Sequence, residues 1–164
     1  MGCQAVGGSS RMSAGRETVK VVRVVSGQTI EVLDTTGNNP LAERVRLLGI
    51  TAPDWKEQAS WSHAAKQQLA MVIGQGKTVQ LEDDVQSQVE SKGSKLRLAY
   101  VWLDRQLLNE NLVAGGYVLA QSRSPNTKYE QRLAHAQEKA RLMGLGIWNP
   151  QNPMRQDPGE FDRR

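Results

Sequence analysis

The residues of this sequence best equipped for chemistry are arginines on one strand, a scatter of further cations, and two tryptophans beside a proline-stopped turn. Arg46 sits in an alternating run in which Val45 and Leu47 face the other way, and Arg44 shares its side. A guanidinium placed there is either an exposed strand arginine or a phosphate clamp, because its planar fork matches two oxygens of one anion. Lys77, Lys95 and Arg97 extend the basic surface. Trp55 and Trp61 either stack on bases or pack a loop onto its own helix, whereas Trp102 and Trp148 fit core positions by pattern. Asp54, directly after Pro53, is placed to cap the loop or the helix that follows. Asp83-Asp84 closes a strand and reads as a solvated turn, although adjacent acids can hold a cation weakly. His63 and His135 fall on predicted helices with no partner at metal-ligand spacing, which makes them surface or half-buried histidines.

The chain of 164 residues, 38% hydrophobic and 23% charged, has the composition of one globular domain rather than of a disordered or membrane-embedded chain. No apolar run approaches the roughly 20 residues of a membrane-spanning helix. A formal charge of +4 and a pI near 9.4 either attract a polyanion through counterion release or serve as a solubilising surface. The single cysteine, Cys3, excludes an intrachain disulfide. It is either a chance early residue or, if the gene starts upstream of Met1, the acylated cysteine of an exported lipoprotein; the residues present hold no signal-peptide apolar stretch, and without one the expectation is cytoplasmic. Val6, where serine or threonine is needed, argues against myristoylation at Gly2.

Three segments are expected: a Gly/Ser-rich leader over 1–16, a domain over 17–148, and an irregular tail over 149–164 with prolines at 150, 153 and 158. Within the domain, the β-branched run Val19 to Val25 passes through a Ser26-Gly27 turn into Thr29 to Leu33, a hairpin pattern. Turn residues fill Asp34 to Pro40, and a third strand runs from Arg44 to Ile50, stopped by Ala52-Pro53. From Gln58 to Ile73 the period changes: Ala64, Ala65, Leu69 and Val72 recur at helical spacing until Gly74 and Gly76. Period-two alternation returns in Lys77 to Glu82 and in Leu96 to Trp102, separated by a polar excursion. A short helix near Leu107 to Ala114, a Gly115-Gly116 break and a helix from Asn126 to Met143 complete the order, the last with Tyr129, Leu133, Ala136 and Ala140 on one face. Three strands, a helix, two strands and two helices make an α+β chain, and that order suits a five-stranded OB-type barrel with peripheral helices.

Over residues 18–148 the sequence resembles the staphylococcal nuclease family. The likeness is carried by Gly27 with Thr29-Ile30, by Arg46-Leu47-Leu48-Gly49-Ile50 followed by Ala52-Pro53, and by Lys77 to Glu82. It continues in Leu98-Ala99-Tyr100-Val101, Leu108-Asn109, Leu112-Val113, Gly116-Tyr117, Lys128-Tyr129 and Gly146-Ile147-Trp148. The resemblance implies an OB barrel and an ancestry of phosphodiester hydrolysis, in which calcium, a water-activating carboxylate and two arginines surround one phosphate.

Position by position, the resemblance puts the family's first aspartate ligand on Gln28 and the second on Thr51, so both anionic calcium ligands are absent and no cofactor is expected. It puts the general-base glutamate on Asp54, one methylene shorter, and the first arginine on Arg46. The second arginine falls on Leu96, with Lys95 and Arg97 on either side; adjacent strand residues point to opposite faces, so only a local bulge would let one of them substitute. The tyrosine, lysine and tyrosine of the nucleotide pocket fall on Ser94, Gly93 and Gln121. The expectation is a binding module for single-stranded nucleic acid or a protein complex, with Arg46, Lys77, Lys95 and Arg97 as its contact surface. Two rivals stand beside it: an active phosphodiesterase using Arg46, Asp54 and a shifted Arg97, and an accessory subunit docking through its tail.

Overall fold

The structure, a computed structural model, describes residues 15–34, 41–54, 56–74 and 77–154. Cys3, Trp55, Gly76 and the tail beyond Met154 lie outside the described residues.

Strand β1 (Arg16–Ser26) is long enough to serve two neighbours, and β-bulges between Val21 and Arg23 and between Val24 and Ser26 bend it. Its second half pairs antiparallel with β2 (Thr29–Leu33), which pairs with β3 (Ala42–Leu47). After Leu48-Gly49 a two-residue strand β4 (Ile50–Thr51) departs, then helix α1 (Ala59–Ile73). Strand β5 (Thr78–Glu82) pairs with the first half of β1, and β6 (Gln88–Ser91) forms a hairpin with β7 (Ser94–Leu103). Strand β7 pairs with β5 and, parallel, with β3, which closes a five-stranded mixed barrel in the order β3-β2-β1-β5-β7. The short β8 (Gln106–Leu107) leads to α2 (Leu108–Ala114), β9 (Leu119–Ala120) pairs with β4, and α3 (Glu130–Leu142) and a 3-10 turn (Gly146–Trp148) follow. The architecture is an α+β, OB-type barrel. No described helix is long and apolar enough to cross a membrane.

Alternation along the strands divides the apolar residues between two cores. Val19, Val21, Ile30, Val32, Val45, Leu47, Val79, Leu81, Ala99 and Val101 fill the barrel, joined by Ala65, Leu69 and Ile73 of α1 and Leu133 of α3. The opposite face of β7 supplies Leu98, Tyr100 and Trp102, which pack with Leu48, Leu107 and Tyr129 outside the barrel. Trp102 is buried as its pattern requires, and Trp148 is half-buried.

The elements depart from the sequence reading in several places, including the short strands β8 and β9. The third strand breaks at Gly49, whose φ is +75°; a Cβ there would sit 2.4 Å from Leu133 Cδ1, so glycine lets the backbone turn away under α3. The polar excursion contains β6, exposed along most of its length and therefore without the alternation that announces a strand. Helix α3 starts at Glu130 rather than Asn126, because the Asn126 side chain is spent as a strand-like partner of Gln86, accepting its N–H and donating to its carbonyl, both at 2.8 Å. The Asp83-Asp84 turn is structural too: Asp83 meets Arg97 at 3.2 Å, and Asp84 accepts from Tyr100 Oη at 3.2 Å and from the Lys128 N–H at 3.0 Å.

Fully buried Asn109 pins the bend that aims β4. Its Oδ1 accepts the Val101 N–H at 3.0 Å and its Nδ2 donates to the Leu48 carbonyl at 2.7 Å. Asn109→Ala leaves a buried backbone donor and acceptor without partners, and is expected to lower stability by about 2–3 kcal/mol in urea denaturation.

Candidate functional site

Pairing of β4 with β9 draws the segment 121–126 across the outer end of β3. Between them lies a cavity of about 310 Å³ whose polar lining includes Arg46, Thr51, Gln121, Arg123 and Ser124, with Leu98 on its apolar side. No aspartate or glutamate lines it among the described residues.

Arg46 enters from β3 on the outward face, opposite Leu98 of β7, while its neighbours Val45 and Leu47 point into the barrel. It is half-buried, and among the described residues its guanidinium has neither an ion pair nor a hydrogen bond. Burial, and after it the positive charge of Arg123, both disfavour its protonated form and lower its pKa. Arg44, on the same strand face, is instead paired with Glu31 at 3.8 Å. Arg123 is exposed, carries no ion pair among the described residues, and faces the same cavity. It lies in an aperiodic loop, so nothing in the sequence pattern pointed to it.

Arg97 lies on the other face of the sheet, in register with Val45, and three carboxylates hold it: Glu17 at 2.7 Å, Asp83 at 3.2 Å and Glu43 at 3.6 Å. Burial lowers its pKa, but the hydrogen bond it donates to Glu17 and the charges of the three acids outweigh that effect and raise it. Its charge is neutralised within the barrel mouth, and no bulge carries it toward Arg46. Lys77 and Lys95 are exposed and line no part of the cavity. His63 and His135 are exposed on α1 and α3, and Trp61 is half-buried in the first turn of α1.

The two positions that the resemblance assigns to calcium ligands, Gln28 and Thr51, hold neutral side chains already engaged with the protein. Gln28 Oε1 accepts the Ala52 N–H at 2.8 Å, and Thr51 Oγ1 donates to Gln121 Oε1. Calcium affinity rises with the anionic charge of the ligands, so an occupied amide oxygen and a hydroxyl do not fit that ion. Asp54 is exposed, and its Oδ1 accepts the Lys56 N–H at 2.7 Å while its carbonyl accepts the Gln58 N–H at 2.8 Å, so the turn into α1 uses it.

A larger open groove of about 580 Å³ runs between α2 and α3 past Lys128, Arg132, His135 and Lys139. There Lys128 is paired with Glu82 and Arg132 with Glu110, which leaves that groove less unbalanced charge than the Arg46 cavity.

The closed barrel and its peripheral helices define an OB-type domain. The family model for staphylococcal nuclease homologues matches residues 44–150, and the chain belongs to that family. It is 30% identical over 140 residues to the thermonuclease of Staphylococcus hyicus, covering 84% of this chain and 79% of that protein. It is 31% identical over 140 residues to the thermonuclease of Staphylococcus intermedius, covering 80% and 76%. An uncharacterized endonuclease of Haemophilus influenzae is 29% identical over 155 residues, covering 94% and 78%.

Proposed function

We propose that this member of the nuclease family acts as a binding module for the phosphates of single-stranded nucleic acid, with calcium-dependent phosphodiester cleavage lost or strongly weakened. The observation that carries this reading is the engagement of Gln28 and Thr51, where a calcium ion would need carboxylates, by the Ala52 N–H and by Gln121. Arg46, half-buried and without an ion pair among the described residues, supplies the anion-seeking group, and the net charge of +4 favours a polyanion. Asp54 is one methylene short of the family's glutamate and is committed to its own turn, which takes it away from activating a water.

Calorimetric titration of the purified chain with calcium is expected to give no binding heat, and a fluorescent single-stranded DNA assay in the same buffer to give no calcium-dependent cleavage. Calcium-dependent cleavage that disappears in Arg46→Ala would sink the reading and return the chain to the working phosphodiesterases.

A further inference from the structure

We propose that Arg123 is the second arm of a phosphate clamp with Arg46, so that two arginines from distant parts of the chain hold one nucleic-acid phosphate without a metal ion. The inference rests on the binding-module reading and assigns its contact residues.

Arg46 and Arg123 line one cavity of about 310 Å³, and no carboxylate lines it among the described residues. Among the described residues neither guanidinium is paired, although other arginines close by are: Arg44 and Arg23 share Glu31, and Arg97 has three acids. Two like charges facing one partly desolvated space repel, and burial deepens the cost by thinning the water that screens them. An anion between the two forks relieves that repulsion. A phosphate supplies that charge and enough acceptor oxygens for both guanidinium planes. The position that the resemblance assigns to the second arginine, Leu96, is half-buried and apolar, so the clamp is rebuilt from the loop after β9 instead of from β7.

The test uses the full chain in EDTA, with labelled single-stranded DNA followed by fluorescence anisotropy. Arg46→Gln and Arg123→Gln are each expected to weaken binding about tenfold, as loss of a charge-assisted bidentate contact does, and the double variant to lose less than the product of the two. Arg105→Gln, which removes the same charge from the exposed β7–β8 turn, is expected to change binding less than about twofold. Without ligand, Arg123→Gln is expected to melt at or above the wild-type temperature, and inorganic phosphate to raise the melting temperature of the wild type more than that of the variant. If Arg123→Gln binds like Arg105→Gln while Arg46→Gln is weakened, the clamp is overturned and the binding-module reading stands. A lower melting temperature for ligand-free Arg123→Gln also overturns it, by showing a structural role. If the wild type binds neither single-stranded DNA nor RNA in EDTA, the binding-module reading fails, and the clamp with it.

Discussion

Glu82→Ala is expected to lower unfolding free energy at neutral pH by about 3 kcal/mol, because it leaves two buried or half-buried donors without an acceptor. Glu82 is 7% exposed at the end of β5 and gathers four groups from β1, β7 and the start of α3. Its Oε2 accepts from Trp102 Nε1 at 2.8 Å and from Tyr129 Oη at 2.9 Å, Lys128 pairs with Oε1, and Arg16 approaches at 3.7 Å. The carboxylate thus fastens the start of α3 and the outer aromatic cluster to the barrel, where Tyr129 meets Tyr100 edge-on with ring centroids 4.7 Å apart. Burial pushes the Glu82 carboxyl up, but the hydrogen bonds from Lys128, Tyr129 and Trp102, with the charge of Lys128, outweigh it and hold the pKa below its ordinary value of 4.5. A carboxylate whose pKa is lower folded than unfolded stabilises fully above the unfolded value, and that contribution is lost as pH falls through the folded value. Urea denaturation of wild type and variant should therefore show a gap that is constant at neutral pH and narrows below about pH 4.5. A gap that stayed constant into acid would mean that the carboxylate charge contributes nothing to the fold.

Gly116→Ala is expected to cost about 3 kcal/mol or more, chiefly through backbone overlap. Gly116 has φ +74°, and a Cβ on it would lie 2.1 Å from the Leu145 carbonyl oxygen; a Cβ on Gly146 would lie 2.1 Å from the Gly116 oxygen. The two glycines let separate backbone segments touch, and the Ile147 N–H donates to the Gly116 carbonyl at 2.8 Å across the contact. This seats the 3-10 turn and the buried Ile147 against the end of α2. Gly93 separates the two contributions to the cost: its φ is +75° but nothing lies within 4 Å of a Cβ built there, so Gly93→Ala should show only the conformational part, about 1 kcal/mol. Equal losses for the two variants in parallel denaturation curves would remove the close approach as the cause.

The barrel was legible in the sequence because strands buried on one face announce themselves by alternation, as β1, β2 and β5 do, while β7, buried on both faces from Leu98 to Trp102, shows as a short apolar run. The helical periods of α1 and α3 were equally plain, since Ala65, Leu69 and Ile73, and Leu133, Ala136 and Ala140, turn one face inward. Strand β6 was not, because a strand exposed along most of its length carries no periodic signal. Nor was the split of the third strand at Gly49, which depends on the approach of Leu133 from a helix far along the chain.

For the site, the sequence by itself determined which side chains stand where the resemblance expects the family's site: a neutral Gln28 and Thr51, an aspartate at Asp54, and Arg46 on an outward strand face. Only the tertiary structure decided what those side chains do. It turned Gln28 and Thr51 toward partners inside the protein, committed Arg97 to three carboxylates, and brought Arg123 to the cavity beside Arg46. The physical reason is the range of the interactions involved. Side-chain identity and strand face are local properties that recur with the period of the backbone, whereas a charge's partners depend on which distant segments the closed barrel places around it.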